Sequence, residues 1–155
     1  MVLTGPKKRM ASLNASLVKL AAMRLCGNAL AQTVIAAALN DPDSTRALLQ
    51  PGGRLYEQRE ATCNALTGVE GVSFVKNSAA FYLFPRLDTK RFRIDNDKEF
   101  CMDLLHETNV LVIPGTGFEY PRHDHLRIVM LPQAAVLKEA MEKVVAYLER
   151  RAHQA

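Results

Sequence analysis

The hydrophobic pattern of this chain changes period once, near residue 70, and that change limits the folds open to it. Before it, apolar residues recur every three or four positions; after it, short β-branched and aromatic runs alternate with further helical stretches. Met10, Leu13, Leu17, Leu20, Ala21 and Met23 make one face of a helix over Lys7 to Cys26, which Gly27-Asn28 stops. A second helix is expected from Leu30 to Leu39. With Val34, Ile35 and four alanines it is apolar nearly all round, and a small domain offers it too little protein to hide against, which points to a missing partner. In the turn cluster Asn40-Asp41-Pro42-Asp43-Ser44, Asp43 or Ser44 is expected to cap the next helix. Pro51-Gly52-Gly53 then precedes a helix from Arg54 to about Leu66, closed by Thr67-Gly68.

In the second half, Val72-Ser73-Phe74-Val75 and Ala80-Phe81-Tyr82-Leu83-Phe84 read as strands, and Lys76 to Ala79 between them is hairpin length. Pro85 ends the second strand because it has no N–H for the ladder. Asp95 or Asn96 caps a short helix, Glu99 to Glu107, with Phe100, Met102, Leu104 and Leu105 apolar. Val110 to Ile113 is a buried strand stopped by Pro114-Gly115, and Leu126 to Leu131 is another. Pro132 opens a last helix from Ala134 to Arg151, its face carried by Leu137, Ala140, Met141, Val144, Val145 and Leu148. The fold class is therefore α+β, a short antiparallel or mixed sheet with helices packed on one side. Met1 to Pro6 reads as a strand running into a turn, as though the chain began in the middle of a sheet.

At 155 residues the length suits one core with room for an appendage. Net charge is +4, but the basic residues are scattered from Lys7 to Arg151 rather than gathered in a stripe, which disfavours nucleic acid as a partner. No run of about 18 apolar residues exists to span a membrane. The N-terminus lacks a signal-peptide pattern, and three cysteines without a C-x-x-C pair fit reduced thiols in the cytoplasm.

Candidate chemistry is sparse. Cys26, Cys63 and Cys101 lie in apolar helical contexts and read as small buried hydrophobes rather than nucleophiles. His123-Asp124-His125 is the only close histidine pair, with no further cluster to complete a metal site, so a loop is favoured. Gly115-Thr116-Gly117 is not followed by a helix that could aim amides at a phosphate. Arg127 stands out inside the apolar strand Leu126-Arg127-Ile128-Val129-Met130-Leu131. It is either a solvated edge residue or a guanidinium held by the strand to grip a carboxylate with two parallel hydrogen bonds.

Four segments in order, Pro51-Gly52-Gly53-Arg54-Leu55-Tyr56-Glu57-Gln58-Arg59, Ala80 to Pro85, Pro114 to Phe118 and Leu126 to Val129, resemble the C-terminal part of class I pyridoxal-phosphate aminotransferases. The first of them and Met23-Arg24-Leu25-Cys26 are most similar to the bacterial glutamate–pyruvate (alanine) aminotransferase branch. The resemblance implies that 1–50 is the end of the large cofactor domain, 51–71 the interdomain helix and 72–155 the small domain. It implies that Arg127 binds the substrate α-carboxylate, with Gly115 and Phe118 in a loop close to the substrate. In the family the Schiff-base lysine and the phosphate-binding arginine precede a strand like Met1 to Thr4, and none of the eight lysines here stands in the Ser-x-Ser-Lys context. The full-length enzyme is accordingly expected to be a homodimer holding pyridoxal 5'-phosphate and acting on an amino acid and a 2-oxo acid. This chain alone is expected to bind no cofactor and no metal, to contain no catalytic residue and to be inactive. One departure is Ser78-Ala79-Ala80, where family members often carry Pro-x-Gly. The alternative is a carboxylate- or amino-acid-binding or interaction module without catalysis.

Overall fold

The computed structural model describes residues 5–24, 27–78 and 80–153. The chain divides into two compact units, Met1–Asp43 and Ser44–Ala155. In the first, α1 (Lys7–Arg24), α2 (Ala29–Thr33) and α3 (Ile35–Asn40) follow one another. Asn28 caps α2, its side chain accepting the Ala31 N–H at 3.2 Å. The helix expected from Leu30 to Leu39 is thus present as two short pieces that part at Val34. Three consecutive β-branched residues, Thr33-Val34-Ile35, meet there, and the Thr33 hydroxyl donates to the carbonyl of Leu30 at 2.7 Å. The apolar residues stay in solvent: Met23 is 82% exposed, Leu30 78% and Leu39 77%. The strand expected at Met1 to Thr4, and Leu25 and Cys26, lie outside the described residues.

Helix α4 (Pro42–Leu49) begins earlier than the turn cluster suggested, with proline in its first turn, where no N–H is needed, and Asp43 beside it. The turn after it depends on Gly53, where a Cβ would collide with the carbonyl of Ala47. Helix α5 (Arg54–Leu66) then runs as expected and lies against the long C-terminal helix α8 (Ala134–His153). Within the Pro-Gly-Gly-Arg-Leu-Tyr-Glu-Gln-Arg stretch, Arg54 and Gln58 reach the segment that leads into α8. Arg54 donates to the carbonyl of Leu131 at 3.0 Å, and buried Gln58 donates to the carbonyls of Leu131 and Pro132 at 2.8 and 2.7 Å.

The strands are shorter than the sequence runs and pair differently. They are β1 (Val72–Ser73), β2 (Tyr82–Leu83), β3 (Arg86–Leu87), β4 (Ile113–Pro114) and β5 (Leu126–Val129). The hairpin expected across Lys76 to Ala79 does not form: β1 pairs antiparallel with β3, and β2 with β5. Ala80 explains part of this, since it sits at φ 61°, the left-handed region where the resembled family often carries glycine, and the chain turns there before β2. Burial explains the rest, because in register with Ile128 the side chain of Leu83 enters the core. Pro85 has no N–H to give, but its carbonyl accepts the Leu126 N–H at 3.1 Å. β4 completes the order β2-β5-β4.

Between these strands lie α6 (Thr89–Phe92), capped by Asp88, and α7 (Asp97–Thr108), capped by Asn96 and about a turn longer than expected. The core unites Leu83, Leu126, Ile128 and Met130 of the sheet region with Phe100 and Leu104 of α7 and Leu137, Met141, Val144 and Leu148 of α8. Tyr147 joins them fully buried, a member of the α8 face that its hydroxyl hid from the sequence reading. Helices against short antiparallel strands are the α+β class the sequence implied.

Candidate functional site

Alternation along β5 sends Leu126 and Ile128 into the core and leaves Arg127 on the other face. Ile113 of β4 lies opposite Arg127 in register, and Tyr82 of β2 lies opposite Val129. The Arg127 guanidinium carbon sits 4.2 Å from the centre of the Phe118 ring and 4.9 Å from that of Tyr82. Its Nε is buried and has no hydrogen-bond partner. Among the described residues no carboxylate forms an ion pair with it, whereas Arg86, Arg91, Arg122, Arg150 and Arg151 all have one. A cation flanked by two aromatic rings, with its donor fork unspent, has the geometry to take an oxyanion such as a carboxylate or a phosphate.

Gly115 and Phe118 belong to one 3-10 turn, Gly115–Phe118, directly after β4. Gly115 is buried with its N–H on the carbonyl of His125 at 2.8 Å, and a Cβ there would stand 2.8 Å from that same oxygen. Close approach to β5 therefore requires glycine. The turn ends on Glu119 in the left-handed region, φ 58°. Of the three site residues read from the sequence, Arg127 and Phe118 are in contact, and Gly115 seats the turn that carries Phe118.

Two buried carboxylates in the neighbouring segments gave no signal in the sequence. Asp97, in the first turn of α7, accepts the N–H and hydroxyl of Thr116 at 2.9 and 2.8 Å and meets His123 Nδ1 at 2.9 Å. Asp124 accepts from Arg86 Nε at 3.0 Å and meets His125 Nδ1 at 2.6 Å. The His125 ring also stacks on Phe84, with centroids 4.9 Å apart. Thus His123-Asp124-His125 is a loop whose two imidazoles serve two different aspartates, and no metal-binding cluster occurs among the described residues. Tyr82 was missed as well, its only signal being its place two residues before Phe84 on an aromatic strand. Cys63 and Cys101 are buried, and burial pushes the Cys101 thiol up to about 12, so it is no nucleophile at neutral pH. Cys26 lies outside the described residues.

Burial by itself would raise both aspartates. It is outweighed at Asp97 by the Thr116 N–H, His123 and the Thr116 hydroxyl, and at Asp124 by His125, Arg122 and Arg86, so both carboxyls lie below the usual carboxylate range. A group depressed on folding stabilises the fold above its unfolded pKa, and that contribution is lost as pH falls through the folded value. The melting temperature is therefore expected to fall as pH drops below about 4. Thermal melts across pH 2 to 7 check this, and the Asp97→Asn chain should show a flatter acid limb.

Residues 12–144 match the family model for aminotransferase class I and II, and the chain belongs to that family. It is 42% identical over 148 residues to a glutamate-pyruvate aminotransferase of Escherichia coli, covering 96% of this chain and 36% of that protein. It is 43% identical to an alanine aminotransferase of Mycobacterium tuberculosis, covering 96% and 34%. A crystal structure of an aminotransferase from E. coli superposes with a TM-score of 0.79 at 42% identity, over 96% of this chain and 37% of that one. The alanine aminotransferase of Pyrococcus furiosus gives a TM-score of 0.67 at 30% identity, over 94% and 36%. The chain spans about a third of the length of the relatives it matches.

Proposed function

We propose that this chain is the C-terminal part of a pyridoxal-phosphate aminotransferase that moves an amino group between glutamate and pyruvate, with alanine as product. The observation that carries the reading is the unpaired guanidinium of Arg127 between Phe118 and Tyr82. In this reading Arg127 grips the α-carboxylate through two parallel hydrogen bonds, so the amino or keto carbon is held in one orientation. Phe118 and Tyr82 cover the guanidinium, and Gly115 lets the turn approach closely enough to place Phe118. The names of the relatives support the amino donor and acceptor. Residues 1–50 are assigned to the end of the large domain, 51–71 to the interdomain helix and 72–155 to the small domain; the enzyme is read as a cytoplasmic homodimer, as the family resemblance implies.

Pyridoxal phosphate supplies an electron sink for the carbanion formed at the amino-acid Cα. The residues around Arg127 do not fit that cofactor: its near neighbours are two rings, and none of the eight lysines stands in the Ser-x-Ser-Lys context. The cofactor and the proton-moving lysine are therefore assigned to the longer enzyme, and no step is assigned to them here. Incubating this chain with pyridoxal phosphate, glutamate and pyruvate, followed by borohydride reduction and peptide mass mapping, tests the reading. Only scattered, substoichiometric lysine adducts and no alanine are expected. A stoichiometric adduct at one lysine together with turnover would overturn it.

A further inference from the structure

Asp97 has no exposed surface, and its side chain is turned away from the work its position suggests. A carboxylate in the first turn of a helix normally serves that helix, but α7 is already capped by Asn96, whose Oδ1 accepts from Lys98 and Glu99. Both Asp97 oxygens are spent on another segment. Oδ2 takes the Thr116 N–H, while Oδ1 takes the Thr116 hydroxyl and meets His123. Thr116 is the second residue of the 3-10 turn, and His123 stands two residues before His125, where the chain joins the sheet. One buried carboxylate thus ties the two ends of the 116–123 loop together. Phe118 lies inside that loop, two residues beyond Thr116, and meets the Arg127 guanidinium at 4.2 Å.

We propose that Asp97 is a positioning residue for the carboxylate grip: by tying Thr116 to His123 it holds Phe118 on Arg127 and keeps the guanidinium in one orientation before a carboxylate arrives. The proposal rests on the assignment of Arg127 above. A bare carboxylate buried in this core would be unfavourable, and only its hydrogen bonds make the position tolerable, so the loop and Asp97 hold each other. An arginine ordered in advance loses less rotamer freedom on binding, and releasing it should weaken carboxylate affinity by about 2- to 10-fold.

The test uses the whole 155-residue chain, 15N-labelled, and follows the Nε–Hε resonance of Arg127, assigned by its loss in Arg127→Lys. Ring currents from Phe118 and Tyr82 set that resonance whether or not a ligand is bound, and Phe118→Leu calibrates the displacement. Asp97→Asn and Thr116→Val are expected to move the resonance in the direction of Phe118→Leu and to weaken acetate binding by about 2- to 10-fold. Glu99→Gln, in the same helical turn, should leave both unchanged. If Asp97→Asn fails to fold, Thr116→Val decides, because it deletes one hydroxyl and keeps the backbone bond. An Arg127 resonance that stays in place in Thr116→Val, while Phe118→Leu moves it, overturns the proposal. Acetate binding equal in native and Arg127→Ala chains overturns the grip itself, a different failure, since the resonance needs no ligand.

Discussion

If Arg127 grips the α-carboxylate as proposed, replacing it by Ala in an aminotransferase ending in this sequence is expected to lower kcat/KM about 30-fold or more for both the amino and the keto acid. The magnitude follows from the hydrogen bonds that disappear with the guanidinium. Hydrogen bonds to a charged group contribute roughly 1.5–3 kcal/mol, and removing one partner of a buried charged pair costs about 2–5 kcal/mol, while tenfold in rate is about 1.4 kcal/mol. Both half-reactions should suffer alike, because both substrates present an α-carboxylate. Lysine should rescue only partly: a single ammonium cannot make the two parallel bonds of a guanidinium fork. Cofactor affinity should hardly change, and steady-state kinetics with an absorbance titration of pyridoxal phosphate separate the two effects. Loss of folding in Arg127→Ala, with full activity regained in Arg127→Lys, would instead make Arg127 a structural strand residue.

A second large effect is expected from Gly115. A Cβ there would lie 2.8 Å from the carbonyl oxygen of His125, which already accepts the Gly115 N–H. Neither backbone can yield cheaply, since Pro114 and Leu126 next to them are in register across β4 and β5. Gly115→Val should therefore destabilise the fold by about 1–3 kcal/mol, as overpacking in a well-ordered site does. Gly117, two residues on, is the internal control. A Cβ there would meet only side-chain carbons, at 3.7 and 3.9 Å, so Gly117→Ala should stay within about 0.5 kcal/mol of the native chain. Urea denaturation midpoints of the two variants measure the difference. Equal midpoints would mean that the turn relaxes away from β5.

What could be read from the residues alone was governed by range. Helices α5, α7 and α8 announced themselves because their signals are local: an apolar face at helical spacing, Asn96 at one start, Pro132 before another. Strand pairing was not legible. Val72-Ser73 and Tyr82-Leu83 look like neighbours across a short turn, yet each finds its partner elsewhere, since pairing is settled by which register buries Leu83 and Leu87. At the candidate site, Arg127 stood out as a charge inside an apolar strand, and Gly115 and Phe118 were proposed from the family pattern; the structure puts Phe118 against Arg127 and Gly115 in the turn that carries it. Asp97 did not stand out: its partners Thr116 and His123 are 19 and 26 residues away, and nothing near position 97 marks them.

The exposure of the first helices also bears on what a single stability value for this chain would mean. No described side chain from Gly5 to Gln50 is buried, and α2 and α3 are only 5 and 6 residues long. Helices shorter than about 12 residues are marginal in water without packing, so α2 and α3 have little free energy of their own to hold them. The residues from Arg54 onward, with the core around Leu104 and Tyr147, are expected to carry the cooperative transition. Heat or urea would thus report on about two thirds of the polypeptide, and amide hydrogen exchange would divide the molecule into a fast-exchanging stretch and a protected one.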